Sequence, residues 1–472
     1  MRTIDKIYLD GKFVTPHGTD VAPLHNPATE QVIGQVRLAD EVDARAAVAA
    51  ARRALPAFAR TTRRERQAML RRLSAAFTAR LDDLKNAMIE EYGATKVLVD
   101  AGMPRAAAVF DEAADVLDTF EFSRTDGRST VTLEPVGVAA AITPWNYSIV
   151  FVAQKIAGAI AAGCPIVVKP SELSAIQTQV MTECIDAAEI PPGVINILTG
   201  RGDVVGEVLT THPDVAKVGF TGSTAVGQQI MRNAAATMKR LTLELGGKSP
   251  AILLDDADIP SAVAAALTGG FMNNGQACFA GTRILAPQSR IDEVTAAIRS
   301  GVAALRVGDP ADAATAIGPL VSERQYERVQ SYIRLGEQEG ATLLTGGAGR
   351  PDGLAAGWFV KPTVFTGVTN RMRIAREEIF GPVLVVIGYD DEQEAIDIAN
   401  DTPYGLQAYV FSGDRERALR VARQIEAGTV LVNTVFGDPG APFGGVKQSG
   451  VGREHGAYGL AAYLEPRAVT TA

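Results

Sequence analysis

Apolar positions along this chain follow three rhythms, and each predicts a different kind of element. Residues 3–40 alternate in short runs broken by turns, Asn26-Pro27-Ala28-Thr29 being the clearest, and predict short strands. Over residues 41–60 and again over 63–92 the apolar positions recur at three- and four-residue spacing among charges. That is the pattern of amphipathic helices with solvated, arginine-rich faces. A third helix is predicted over residues 103–119. Between Glu121 and Glu134 two β-prone runs flank Thr125-Asp126-Gly127, which predicts a hairpin. An isolated hairpin does little for a single chain, so this one points to a subunit contact.

From residue 136 to 254 the rhythm itself alternates. Residues 136–142, 166–169, 194–198, 215–220 and 241–245 are β-rich, while 149–162, 174–188, 203–210 and 223–238 carry helical periodicity. Such alternation calls for an α/β fold, a mostly parallel sheet covered by helices on both faces. Ligands in such sheets lie at the carboxyl ends of the strands. A second alternating region covers 249–448, with strands predicted at 251–254, 363–365, 383–389, 407–411 and 429–433, and residues 463–471 read as a tail strand.

Size and composition narrow the class. At 472 residues the chain is too long for one core, so two large domains are expected. With 47% hydrophobic and 21% charged residues it has the balance of an ordinary globular protein. A net charge of -8 and the absence of a basic run argue against nucleic acid or a membrane surface as partner. The first residues lack the apolar core of a signal peptide, and no apolar stretch reaches membrane-spanning length. Three widely spaced cysteines, Cys164, Cys184 and Cys278, fit a reducing cytoplasm rather than a disulfide scaffold. Four scattered histidines offer no ligand spacing, so no metal site is expected.

Candidate chemistry gathers around Phe271-Met-Asn-Asn-Gly-Gln-Ala-Cys278-Phe-Ala-Gly-Thr-Arg283. Small neighbours would let a substrate carbon approach the sulfur, although a lone cysteine is equally a buried structural thiol. Two loops lead from strand to helix: Gly200, Gly202 and Gly206, one residue longer than the dinucleotide fingerprint, and Gly219-Phe-Thr-Gly222-Ser223. Ser223 is a good N-cap, and free N–H groups there attract phosphate; both loops also read simply as tight turns. Lys169-Pro-Ser-Glu172 ends another strand, where a lysine and a carboxylate can bind ribose hydroxyls. A carboxylate there repels a 2′-phosphate and favours NAD over NADP.

Taken together, these stretches resemble the aldehyde dehydrogenase superfamily over essentially the whole chain. The matching motifs, in order, are Thr143-Pro-Trp145-Asn146, Lys169-Pro-Ser-Glu172, Gly219-Phe-Thr-Gly-Ser223 and Leu243-Glu244-Leu-Gly-Gly-Lys248. They continue with Gly275-Gln-Ala-Cys278, Glu377-Glu378-Ile-Phe380-Gly-Pro382, Asn400-Asp-Thr-Pro-Tyr-Gly405 and Pro442-Phe443-Gly-Gly445. The resemblance implies two Rossmann-like doubly wound domains and a small β oligomerisation element. It places an NAD-binding domain at residues 1–119 and 135–247, a catalytic domain at 248–447, and the oligomerisation hairpin and tail strand at 120–134 and 460–472. Homodimers or homotetramers are the assemblies it suggests.

The same resemblance assigns roles. Cys278 falls on the nucleophile, Asn146 on the donor to the oxyanion, Glu244 on the base that hydrolyses the thioester, and Lys155 on a proton-relay lysine; taken alone, Asn146 reads equally as a turn residue, Glu244 as a capping or salt-bridged carboxylate and Lys155 as a solvated surface residue. Lys169, Glu172, Gly202, Gly222, Ser223, Glu378 and Phe380 fall on cofactor contacts, with Thr143 and Trp145 beside them; NAD is the expected cofactor and NADP a possible one. An unperturbed thiol titrates near ~8.5, so Cys278 needs a base or a favourable helix terminus. A glutamate at an apolar strand end should titrate high.

Tyr147, Phe151, Phe279, Phe436 and Phe443 fall where relatives line the aldehyde tunnel, and aromatic walls favour an apolar or aromatic aldehyde. No arginine is assigned to a substrate carboxylate, which disfavours semialdehyde acids. Ser148 stands where many relatives have proline, and Cys164 where many have asparagine. Three alternatives stay open: a CoA-acylating or semialdehyde dehydrogenase of the same fold, a cofactor-independent thiol hydrolase pairing Cys278 with a histidine, and a non-catalytic member of the fold.

Overall fold

The run Val-Ala-Ala-Ala-Ile forms the strand Val138–Ile142, and all five residues are buried. Burial on both faces replaces the alternation of a half-exposed strand with a continuous apolar run. Its small side chains let the helix Ser148–Ala162 pack close, and that helix is itself apolar almost all round before it stops at Gly163, whose φ of 84° suits glycine. The computed structural model describes residues 1–471; residue 472, the last of the predicted tail element, lies outside the described residues.

Val138–Ile142 is central to an eight-stranded sheet. In spatial order this runs Gly450–Val451, Arg240–Glu244, Val215–Thr221, Val138–Ile142, Ile166–Lys169, Ile195–Ile197, Ile7–Leu9 and Lys12–Val14. The five strands from Arg240–Glu244 to Ile195–Ile197 are parallel, and antiparallel edges close both sides. A seven-stranded sheet runs Thr342–Thr345, Thr363–Thr366, Val383–Tyr389, Arg283–Pro287, Pro250–Leu253, Gln407–Phe411 and Thr429–Val432. It is parallel but for its first strand. The architecture is α/β, as the alternation predicts.

Elements differ from the sequence reading in several places. The predicted helix over residues 63–92 is two, Arg63–Ala79 and Leu81–Tyr92, broken at Arg80 with φ -113° and ψ 20°. The helix expected from residue 103 begins at Arg105, behind Pro104, and a separate helix, Lys96–Gly102, precedes it. Arg283–Pro287, absent from the predicted strands, sits inside the second sheet with its first residue an entirely buried arginine. That guanidinium is satisfied by the carbonyls of Lys248, Ile398 and Ala399, each at 2.8 Å, and by Asn370 Oδ1 at 3.0 Å.

The predicted hairpin and tail strand form one sheet. Ser123–Asp126 pairs with Ser129–Pro135, which pairs along its whole length with Leu464–Thr470. No helix among the described residues is long and apolar enough to cross a membrane.

Candidate active site

The thiol loop is built by left-handed backbone and buried amides. After the helix Ile259–Phe271 the chain turns through Asn273 at φ 55°, Asn274 at φ 58° and Gly275 at φ 72°. A β-carbon on Gly275 would stand 2.2 Å from the carbonyl carbon of Gly381, so both conformation and space require glycine there. Asn274 donates to the carbonyls of Gly93 and Pro319 and accepts from the Gly318 N–H. Gln276 accepts from the Val321 N–H at 3.1 Å and donates to the Tyr92 hydroxyl at 3.0 Å. These bonds fix the backbone that presents Cys278 two residues later.

Asn146 follows the carboxyl end of Val138–Ile142 and is buried. One N–H of its amide donates to the Gln276 carbonyl at 2.8 Å, so the expected oxyanion donor is also a clamp on the thiol loop. An amide has a second N–H, and here it has no acceptor among the described residues.

Cys278 is partly accessible, whereas Cys164 and Cys184 are buried. Burial of the sulfur, with the charges of Glu378 and Glu244, pushes the thiol well above its ordinary range. The surroundings thus favour the protonated sulfur.

Glu244 ends the strand Arg240–Glu244, is 4% exposed, and neither carboxyl oxygen has a hydrogen-bond partner among the described residues. Burial, then the charge of Glu454, raises its carboxyl well above the ordinary value, as an apolar strand end predicts. Gly444 makes room for it: a β-carbon there would come within 2.6 Å of Glu244 Oε1.

Lys155 is not a surface residue. It is buried under Gly219 and ion-paired with Glu454 Oε1 at 2.5 Å. Burial acts to raise the Glu454 carboxyl, but the Lys155 ammonium overrides it and holds the group below its usual range.

A second group of predicted residues lies along the carboxyl edge of the first sheet. Lys169 Nζ donates to the Gly200 carbonyl at 2.9 Å and to Glu172 at 3.3 Å. Gly202 has open space around it, and Ser223 caps the helix Thr224–Ala235. The Gly202–Gly206 turn leads only into the short helix Glu207–Thr211. Glu378 accepts the Gly247 N–H at 3.2 Å, and burial lifts its carboxyl to about 7. Phe380, at φ 65°, meets the edge of Trp145 with ring centres 5.4 Å apart, and the Thr143 hydroxyl is buried without a partner among the described residues.

The proposed aromatic wall is uneven. Tyr147 takes φ 130°, and its hydroxyl lies against Gly102, where a β-carbon would stand 1.9 Å away. Phe151 follows one helical turn on, its N–H donating to the Tyr147 carbonyl. Phe443 stacks on His455 at 5.4 Å, Phe279 is half-buried, and Phe436 is 70% exposed with no ring partner among the described residues.

Comparison with known proteins decides what this arrangement belongs to. The profile of the aldehyde dehydrogenase family matches residues 13–469. The chain belongs to the aldehyde dehydrogenase family. It is 46% identical to a Pseudomonas 3-succinoylsemialdehyde-pyridine dehydrogenase, over 99% of each chain. Among solved structures, a mutant aldehyde dehydrogenase C from Pseudomonas syringae, complexed with NAD+ and octanal, superposes with a TM-score of 0.97 at 43% identity, covering 99% of this chain and 96% of that one. A Mycobacterium tuberculosis aldehyde dehydrogenase complexed with NAD+ gives 0.97 at 41%, covering 100% and 98%.

For an aldehyde dehydrogenase, the residue that sequence reasoning missed is Glu454. Its partner Lys155 is 299 residues away, and the segment Gly452-Arg453-Glu454-His455 carries no local signal. The rival thiol hydrolase finds no support. His212 accepts from the Asp214 N–H and His455 stacks on Phe443, and among the described residues neither hydrogen-bonds Cys278. No cluster of metal-ligating side chains occurs among the described residues.

Proposed function

We propose that this aldehyde dehydrogenase oxidises an aldehyde to the carboxylic acid with NAD+, through a thioester on Cys278 that Glu244 hydrolyses. The observation that carries this reading is the pairing of a partly accessible thiol with a buried carboxyl that has no hydrogen-bond partner among the described residues, close enough to raise the thiol's proton affinity.

The cofactor side supports it on this chain's own residues. The Glu378 carboxyl, which accepts one backbone N–H, suits a ribose hydroxyl; Lys169 with Glu172 suits the other ribose; open Gly202 and the capped helix at Ser223 suit the pyrophosphate. The acidic Glu172 favours NAD over NADP.

In the reaction, Cys278 Sγ bonds to the carbonyl carbon while the thiol proton leaves to water. The charge developing on oxygen is met by the second N–H of Asn146 and the Cys278 backbone N–H. NAD+, when bound, supplies the acceptor for the hydrogen and electron pair that leave the carbon. Glu244 then draws a proton from water, whose oxygen attacks the thioester carbon; the C–S bond breaks, the sulfur takes that proton from Glu244 and the acid departs. Burial, then the Glu454 charge, raises the affinity of Glu244 for that proton, and the Lys155 ammonium paired with Glu454 offsets part of the rise.

Tyr147, Phe151, Phe279 and Phe443 suit an aldehyde with an apolar or aromatic body. The octanal of the Pseudomonas syringae complex and the pyridine in the name of the 46%-identical relative are compatible with such a body. The eight-stranded sheet is read as the core of the cofactor-binding unit, the seven-stranded sheet as that of the catalytic unit, and the exposed three-stranded sheet as the place where copies of the chain join into dimers or tetramers. Mass spectrometry of the protein incubated with NAD+ and an aldehyde tests the chemistry. An acylated peptide containing Cys278 is expected, and its absence during turnover would refute the covalent route.

A further inference from the structure

Beside the Lys155–Glu454 pair lies a cavity of about 50 Å³ between the helices Arg105–Thr119 and Ser148–Ala162 and the segment 453–463. Val109 and Leu460 give it apolar sides, and Lys155, Glu454, Arg105 and Gln154 add polar side chains to its wall. Two contacts tie it to the proposed substrate wall. His455, which also lines it, stacks on Phe443, and the Tyr147 hydroxyl rests on Gly102, three residues before Arg105.

The charges lining this cavity are not equally committed. Lys155 and Glu454 hold each other, and Arg453 donates to the carbonyls of Gly445 and Gly452. Burial keeps His455 neutral, with its proton affinity pushed down to about 4. Arg105 has an ion pair with Glu112 through one N–H, and its remaining N–H groups find no acceptor among the described residues. A guanidinium carries five such donors in a planar fork. With a side chain only 23% exposed, those spare donors sit where water competes weakly.

We propose that Arg105 reads an oxygen acceptor, a carboxylate or a carbonyl, at the far end of the aldehyde whose other end reacts at Cys278. This rests on the proposed function and narrows its substrate class from apolar aldehydes to those with a polar terminus. It also identifies the arginine that sequence reasoning could not place. Val109 and Leu460 would pack on the chain between the two ends.

Three aldehydes of equal chain length, ending in a methyl group, a methyl ketone or a carboxylate, test the idea by NADH formation. The readout is the ratio of kcat/KM for each acceptor-bearing substrate to that of the methyl-ended one. In the native enzyme at least one ratio should be about tenfold to a hundredfold, the range of a hydrogen bond to a charged donor. A carboxylate-only preference identifies an anionic substrate, and preference for both identifies a shared carbonyl contact. Arg105→Leu should bring the ratio close to one, and Arg105→Lys, which keeps the charge but loses the fork, should leave an intermediate value. A native ratio near one, or a ratio that survives in both variants, overturns the proposal. If no aldehyde is oxidised, the failure belongs to the proposed function. Calorimetric binding of the same three compounds to Cys278→Ala, with and without Arg105→Leu, then decides the Arg105 contact on the same ratio.

Discussion

Replacing Glu244 by glutamine is the sharpest test of the proposed chemistry, because the structure predicts that it damages one step and little else. Neither carboxyl oxygen makes a hydrogen bond among the described residues, so the amide forfeits no partner, and Gly444 already leaves room for a group of this size. A positioned general base contributes about 10² to 10⁴ in rate, or roughly 3 to 5 kcal/mol of barrier. The loss should fall on thioester hydrolysis. In stopped-flow absorbance, Glu244→Gln should give a burst of NADH approaching one per Cys278, followed by turnover slowed by that factor.

Stability offers an independent check on the same variant. The folded carboxyl titrates well above its ordinary value of 4.5, so the protonated group's contribution is complete below that pH and is lost as pH rises through the folded value. Glutamine cannot ionise, so Glu244→Gln should gain stability relative to native as pH increases, measured by denaturant unfolding at several pH values. An undiminished steady-state rate would remove Glu244 from the base role, and parallel stability profiles would contradict the raised proton affinity.

Three further outcomes are expected. Cys278→Ala should bind NAD+ with native affinity by fluorescence titration yet form no NADH with any aldehyde; turnover near native would end the covalent route. Glu172→Gln should weaken discrimination against NADP in kcat/KM, since the carboxylate that repels a 2′-phosphate is gone; unchanged selectivity would detach Glu172 from the ribose. Lys155→Met leaves the Glu454 charge buried and unpaired, a loss of about 3 to 5 kcal/mol that should lower the denaturant midpoint. A midpoint equal to native would mean the pair is not what accommodates Glu454.

The sequence displays what repeats locally and conceals what is joined over distance. Strands such as Val138–Ile142 and Pro250–Leu253 are legible because burial on both faces makes them continuously apolar. The break at Arg80 is invisible because apolar spacing continues through it, and Arg283–Pro287 is hidden because its leading charge is satisfied by three carbonyls on two distant segments. Cys278, Asn146 and Glu244 stand in compact motifs that can be read locally. Glu454 and Arg105 acquire meaning only from partners and a cavity that the folded chain assembles.

The three-stranded sheet carries a consequence for biogenesis. Ser129 and Thr470 lie opposite one another although 341 residues separate them, so during translation the earlier strand waits for its mate. At about 5 to 20 residues per second that wait lasts roughly 20 to 70 s. Through that interval the backbone N–H and C=O groups of residues 129–135 facing the missing strand are open to any passing β-segment, including the same stretch of a neighbouring nascent chain. Crowded polysomes should therefore favour exchanged strands, and slow, dilute expression should favour chains that close on themselves.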